Sequence, residues 1–181
     1  MKKIKRLSRI LKLTSILACI TLPLSEVGYW MTNGYPFLDP FFKTAPLPSF
    51  GVTMHWEDLT SLQRFLGFLI SMIPLAFSMA SLAYLSKLFG SFERLSLFEK
   101  ENTKILQKAG WALVLGQIVY PFYMAALSVT LTYRNPVGQR NISIGFGGSQ
   151  LEILAIGLSI LLVSWIFGEA VKLQEEQSGV V

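Results

Sequence analysis

Between Arg64 and Lys87 the chain runs for 22 residues, Phe65 to Ser86, without one charged side chain. About 20 apolar residues is the length that crosses the hydrocarbon of a bilayer. In that solvent each backbone N–H and C=O must be bonded inside the segment, so the stretch is predicted to be a helix. Two further charge-free runs follow: 25 residues at 109–133 and 16 residues at 153–168. A less clean run precedes them at 13–31, interrupted by Pro23 and Glu26. The expected spans are therefore about 13–31, 65–86, 109–133 and 151–168. The last is short unless a flanking glutamate reaches back to the interface.

Composition agrees. The 181 residues are 52% hydrophobic and 15% charged, with a mean hydropathy of +0.49. An ordinary soluble domain carries about 25% charged residues, and a fold of this size still exposes much of its surface. Lipid removes the conflict. The fold class expected is all-α: an integral membrane bundle of four transmembrane helices forming a single membrane domain over 1–181. Cys19 is the sole cysteine, so no intramolecular disulfide forms, and in an apolar helix its thiol serves as a small hydrophobe.

Charge sets the expected orientation. With the N-terminus inside, 12 of the 16 Lys and Arg fall on the cytoplasmic side, among them the run from Lys2 to Lys12. Only Lys43, Arg64, Arg134 and Arg140 fall outside. That asymmetry follows the positive-inside rule and makes both termini cytoplasmic. Tyr29, Trp30 and Tyr133 then mark the outer interface, and Trp111 and Trp165 the inner one. The basic N-terminus reads as a topology signal that touches anionic lipid, and direct nucleic-acid binding is not expected.

The outer loop 32–61 is rich in proline and aromatics (Tyr35-Pro36-Phe37, Asp39-Pro40-Phe41-Phe42) and is expected to be extended and turn-rich. Within it His55, Glu57 and Asp58 lack the spacing of a zinc site; Asp58 or Thr60 reads as the N-cap of the next helix. The second outer loop, 134–150, reads as a small hairpin or an irregular cap, and Asn141-Ile142-Ser143 is a glycosylation triplet where the host glycosylates. The inner loop 87–108 reads as two helical pieces. Leu88, Phe89, Phe92 and Leu95 form a stripe on the first, and the capping-box pattern from Ser96 starts the second. Residues 169–181 form a cytoplasmic tail.

Polar groups inside the spans draw attention because burying them is costly. Glu26 sits near the outer end of the first span, where it reaches the interface, pairs with Arg64 or Arg134, or acts on a ligand. Gln117 lies mid-span and either bonds to another helix or contacts a substrate. Pro74 and Pro121 should kink their helices. Gly67 with Ser71, Ala76 with Ala80 and Ala155 with Ser159 are small faces suited to close packing, within the bundle or in a homo-oligomer.

Two motifs carry a family resemblance. Phe98-Glu99-Lys100-Glu101-Asn102, followed by Leu106 and Gly110-Trp111, resembles the inner-loop motif of domain of unknown function family 2975. Phe167, Ala170, Leu173 and Glu176, then Val180-Val181, resemble that family's closing motif, and the likeness extends from about Pro23 to the end. One departure is visible: the family usually has Ser or Thr where this chain has Glu99. The resemblance implies a small four-span protein of the bacterial inner membrane. Many members are encoded beside a small helix-turn-helix regulator, which implies a cytoplasmic partner of that kind. It supplies no catalytic residues.

No catalytic, cofactor-binding or metal-binding residues are assigned, and no enzyme is expected. The leading expectation is a non-enzymatic interaction or regulatory membrane protein. Its docking surface would be Phe98, Glu101 and Asn102 of the inner loop with Leu173, Glu175 and Glu176 of the tail, where a glutamate pairs with Lys100 or Lys104. The alternative is a small oligomeric transporter or channel subunit built around Glu26 and Gln117.

Overall fold

The computed structural model describes residues 2–32, 56–95 and 99–178. Four long helices make up nearly all of it: α1, Lys2–Met31; α2, Ser61–Glu93; α3, Lys100–Thr132; and α4, Gly148–Ser178. A single 3-10 turn, Trp56–Asp58, precedes α2. Each helix is long and apolar enough to cross a membrane, and the described residues contain no strand. At 1.5 Å per residue, α2 and α3 are about 50 Å long against roughly 30 Å of hydrocarbon, so each projects well beyond its charge-free run.

The extra length corrects two expectations. The basic stretch from Lys2 is not a flank ahead of the first helix but part of α1. Lys, Arg, Leu and Ile continue a helix readily, and Arg9 and Lys12 find a partner in Glu93 at the far end of α2, at 2.7 and 3.5 Å. Likewise Leu88, Phe89 and Phe92 do not form a separate helical piece; they are the last turns of α2, with Leu88 buried. α2 ends at Glu93, and two residues on Leu95, with a φ of 68°, is a non-glycine residue in the left-handed region. Ser96 and Phe98 lie outside the described residues, as do 33–55 with His55, and Val180-Val181.

The chain divides into two compact units, and the division crosses α1, α2 and α3 within three residues of Pro23, Pro74 and Pro121 respectively. Each proline removes one rung of its helix's hydrogen-bond ladder.

The first unit (1–20, 77–118, 147–181) contains parts of all four helices, each antiparallel to the next. Lys12 lies against Gly90 in α1–α2, and Phe77 against Gly116 in α2–α3. The α3–α4 seam is the tightest. A Cβ on Gly110 would stand 3.2 Å from the Gly157 carbonyl oxygen, and one on Gly157 would stand 3.3 Å from the Val114 amide nitrogen. Buried Gly157, Leu161, Ser164 and Val171 repeat at heptad-like intervals along α4 and keep one stripe turned to α3. Ala155 and Ser159, expected to be a close-packing face, are exposed. On the α1 side the buried residues are Ser8 and Ser15, and the Cys19 thiol approaches the Met79 carbonyl at 3.8 Å.

The second unit (21–76, 119–146) joins the remaining parts of α1, α2 and α3 around Trp30, Leu59, Leu127 and Leu131. The Trp30 indole lies directly over Gly67, which has no side chain to displace it. Tyr29, Trp30 and Trp56 meet edge to face in a triad, at centroid distances of 5.0–5.7 Å. Thr60 is the N-cap of α2. The Gln63 amide N–H donates to Thr60 Oγ1 at 3.4 Å, and the Thr60 amide N–H donates to Gln63 Oε1 at 3.1 Å, a capping box. Residues 141–146 form an irregular cap, not a hairpin. The Asn141 and Ser143 amides donate to the hydroxyl oxygens of Thr132 and Ser128, at 3.1 and 2.9 Å.

Candidate partner-docking site

In the first unit the start of α1, the end of α2, the start of α3 and the end of α4 converge at one end. Between α1, α2 and α3 an open cleft of about 850 Å³ is lined by Lys12, Lys87, Glu93, Arg94, Glu99 and Glu101. Charges of both signs line this cleft, so it is not a simple anion or cation trap. The Arg9 guanidinium bonded to Glu93 holds that carboxyl below its ordinary range, with Lys12 adding to the effect.

The α4 tail stands beside it. Among the described side chains Val171 is the last buried one of α4; beyond it Leu173, Glu175 and Glu176 are exposed. The Lys100 ammonium pairs with Glu175 at 2.6 Å across α3 and α4. Both partners are more than half exposed, and such pairs contribute about 0–1 kcal/mol, enough to orient the tail but not to fix it.

The surface expected from the sequence survives only in part. Glu101, Leu173, Glu175 and Glu176 are exposed where a partner could reach them. Asn102 is not, and it is withdrawn: it is 4% exposed, because it shares a helical face with buried Ala109, seven residues on. Phe98 falls outside the described residues.

The two intramembrane candidates lie elsewhere. Glu26 pairs with neither Arg64 nor Arg134; its carboxyl accepts the Trp30 indole N–H at 3.0 Å, one turn along the same helix. Arg64 instead donates through Nη2 to the Trp56 carbonyl at 2.6 Å. Gln117 is buried in the first unit, and its Oε1 has no hydrogen-bond partner among the described residues.

Three arrangements escaped the sequence reading. The capping residue Gln63 is fully buried and also donates to the Leu131 carbonyl at 3.0 Å; the Thr-x-x-Gln spacing was its signal. Ser128 and Thr132, one turn apart near the end of α3, were visible only as small polar residues in an apolar run. Lys87 and Lys108 both approach the Tyr84 ring, at 6.0 and 5.9 Å from its centroid. They were legible as the charges that end one apolar run and begin the next.

A family model described as Protein of unknown function (DUF2975) matches residues 35–181. The chain belongs to that family. The match starts after α1, later than the Pro23 expected from the motifs, so Glu26 precedes the matched stretch. It takes in α2, α3, α4, the charged cleft's α2 and α3 walls, and the tail. No curated protein and no solved structure matches the chain. This DUF2975 member is thus a multi-pass membrane protein by its four apolar helices.

Proposed function

We propose that this DUF2975 protein is a non-enzymatic interaction or regulatory protein of a bacterial inner membrane, with both termini in the cytoplasm. The observation that carries the reading is the end of the first unit where an open, mixed-charge cleft lies beside an α4 tail with exposed Leu173, Glu175 and Glu176. An apolar residue flanked by paired and unpaired carboxylates, projecting beyond the last buried turn, suits a soluble protein partner. A small helix-turn-helix regulator is the partner the family resemblance suggests. The basic residues at the same end support the cytoplasmic assignment.

The test is affinity purification of the full chain from its native membrane, followed by identification of what accompanies it. A stoichiometric cytoplasmic protein that is lost when Glu175 and Glu176 are both changed to Lys supports the reading. A partner retained by that variant, or a clean homo-oligomer, overturns it.

A small oligomeric transporter or channel subunit is the second reading. It draws on the partnerless Gln117 Oε1 and Ser81 Oγ, buried in the apolar parts of α3 and α2. Flux through proteoliposomes that disappears in Gln117→Leu would favour it.

A further inference from the structure

In the first unit α2 and α3 enclose an open groove of about 550 Å³ lined by Phe77, Ala80, Tyr84, Gln107, Lys108, Trp111 and Leu115. We propose that this groove binds an anionic phospholipid, the headgroup phosphate held by Lys87 and Lys108 and an acyl chain laid along Phe77, Ala80 and Leu115. The inference does not depend on the docking reading above: the two sites share Lys87, but the groove needs neither the cleft's carboxylates nor the tail.

The first support is depth. Lys87 is the first charge after the run 65–86, and Lys108 is the last before the run 109–133. They therefore mark the hydrocarbon–headgroup boundary on two adjacent helices, and the structure brings both to one tyrosine ring. Trp111, half exposed beside them, is the residue type that favours this level.

The second support is charge. Among the described residues neither Lys87 nor Lys108 belongs to an ion pair; Lys108 lines the groove, and Lys87, which lines the neighbouring cleft with Glu93, Glu99 and Glu101, meets it at the Tyr84 ring. Two ammonium groups are instead drawn to one aromatic ring, and like charges so placed repel. A phosphodiester relieves that repulsion and accepts hydrogen bonds from both. The Gln107 amide, half-buried in the lining, adds a neutral donor. Basic pockets between spanning helices are recognised headgroup sites.

The third support is shape. Below the lysines the walls turn apolar, as a lipid chain requires and a free phosphate does not. Small Ala80 and Ala112 leave the space, and half-exposed Leu115 lines it farther along α3 from Lys108.

The experiment uses the full chain in a neutral detergent, titrated with phosphatidylglycerol or with phosphatidylcholine of the same acyl chains. Retained lipid is read by native mass spectrometry and binding by the shift in melting temperature. Phosphatidylglycerol should bind and stabilise, and Lys87→Gln with Lys108→Gln should weaken it about 30-fold, at roughly fivefold per lysine. A control pair of equal charge loss, Lys104→Gln with Lys172→Gln, both exposed and away from the groove, should bind as the parent does. Leu115→Trp, which keeps both lysines but fills the groove, should also lose retained lipid; it serves if the double variant does not fold. Equal binding of phosphatidylcholine, an equal loss in the control pair, undiminished binding by Leu115→Trp, or the same melting shift from inorganic phosphate alone would each overturn the proposal.

Discussion

The side-chain amide of Gln63, at the start of α2, donates to the carbonyl of Leu131, at the end of α3, across 3.0 Å. The same residue's Oε1 accepts the Thr60 amide at the opposite pole of its side chain. One buried group thus supports the cap of one helix and ties it to the last-turn carbonyls of another. Gln63→Leu keeps the volume but removes both bonds. It is expected to cost about 2–3 kcal/mol, since it leaves the Thr60 amide and the Leu131 carbonyl unpaired, although Thr60 still caps α2. Thermal unfolding in detergent measures this, and Gln63→Glu, which keeps the acceptor but not the donor, should fall between.

The α3–α4 seam separates two sets of small residues that look alike in sequence. Gly157→Val places new atoms against Val114, whose Cγ2 would lie 3.0 Å from the first added carbon, and should cost about 1–3 kcal/mol. Ala155→Val, on the exposed face two residues away, should melt within about 0.5 kcal/mol of the parent. Equal effects from the two would mean that α3 and α4 do not meet along this stripe.

Glu26 and Trp30 make a single polar bond beside the aromatic triad. Glu26→Gln keeps an acceptor and should leave stability within about 1 kcal/mol of the parent, whereas Glu26→Ala should cost about 1–3 kcal/mol. A double-mutant cycle with Trp30→Phe, which keeps a ring over Gly67 but drops the N–H, isolates the bond. A coupling near zero would assign Glu26 to something other than Trp30.

Glu93 supplies a pH dependence. It lies seven residues beyond the run 65–86, and Arg9, then Lys12, hold its carboxyl below the ordinary value of 4.5. A depressed carboxyl binds more protons in the unfolded chain than in the folded one. Its contribution is therefore present above pH 4.5 and disappears as pH falls below that value through the folded value. Backbone amides of 5–12 should thus lose hydrogen-exchange protection, relative to those of α3, as the pH is lowered through this window. In Glu93→Gln the relative protection should be low and flat with pH.

How much of this was legible in the sequence follows from what hydropathy measures. Phe65–Ser86 and 109–133 identified α2 and α3 because lipid tolerates no charge. The ends of those helices lie in the polar zone, where caps and ion pairs such as Thr60–Gln63 and Lys100–Glu175 decide them. Arg9 and Glu93 are 84 residues apart, so no local pattern could announce that the basic stretch is helical and docked. In lipid both sides of a helix are apolar, so spacing alone could not say whether Ala155 and Ser159 or Gly157 and Leu161 turn inward. Asn102 failed for a related reason. Its place in a motif marked it as notable, but the motif did not reveal that it faces the interior.

Of its most apolar stretch, α1 buries 6% against protein, where α3 buries 28%. Ile10, Leu13, Leu17 and Ile20 are all exposed, and over residues 2–20 the covered side is largely Ser8, Ser15 and the Cys19 thiol, whereas Trp30 anchors the other end of the helix in an apolar core. Fatty-acyl chains must therefore supply most of what a protein core would. Stripped of them, residues 2–20 of α1 have little but the Arg9 and Lys12 pairs with Glu93 to hold them: a mechanical pull on the N-terminus should peel them away as a first, low-force step while α2, α3 and α4 stay together. For this helix the composition of the surrounding bilayer is a structural variable on the same footing as a mutation.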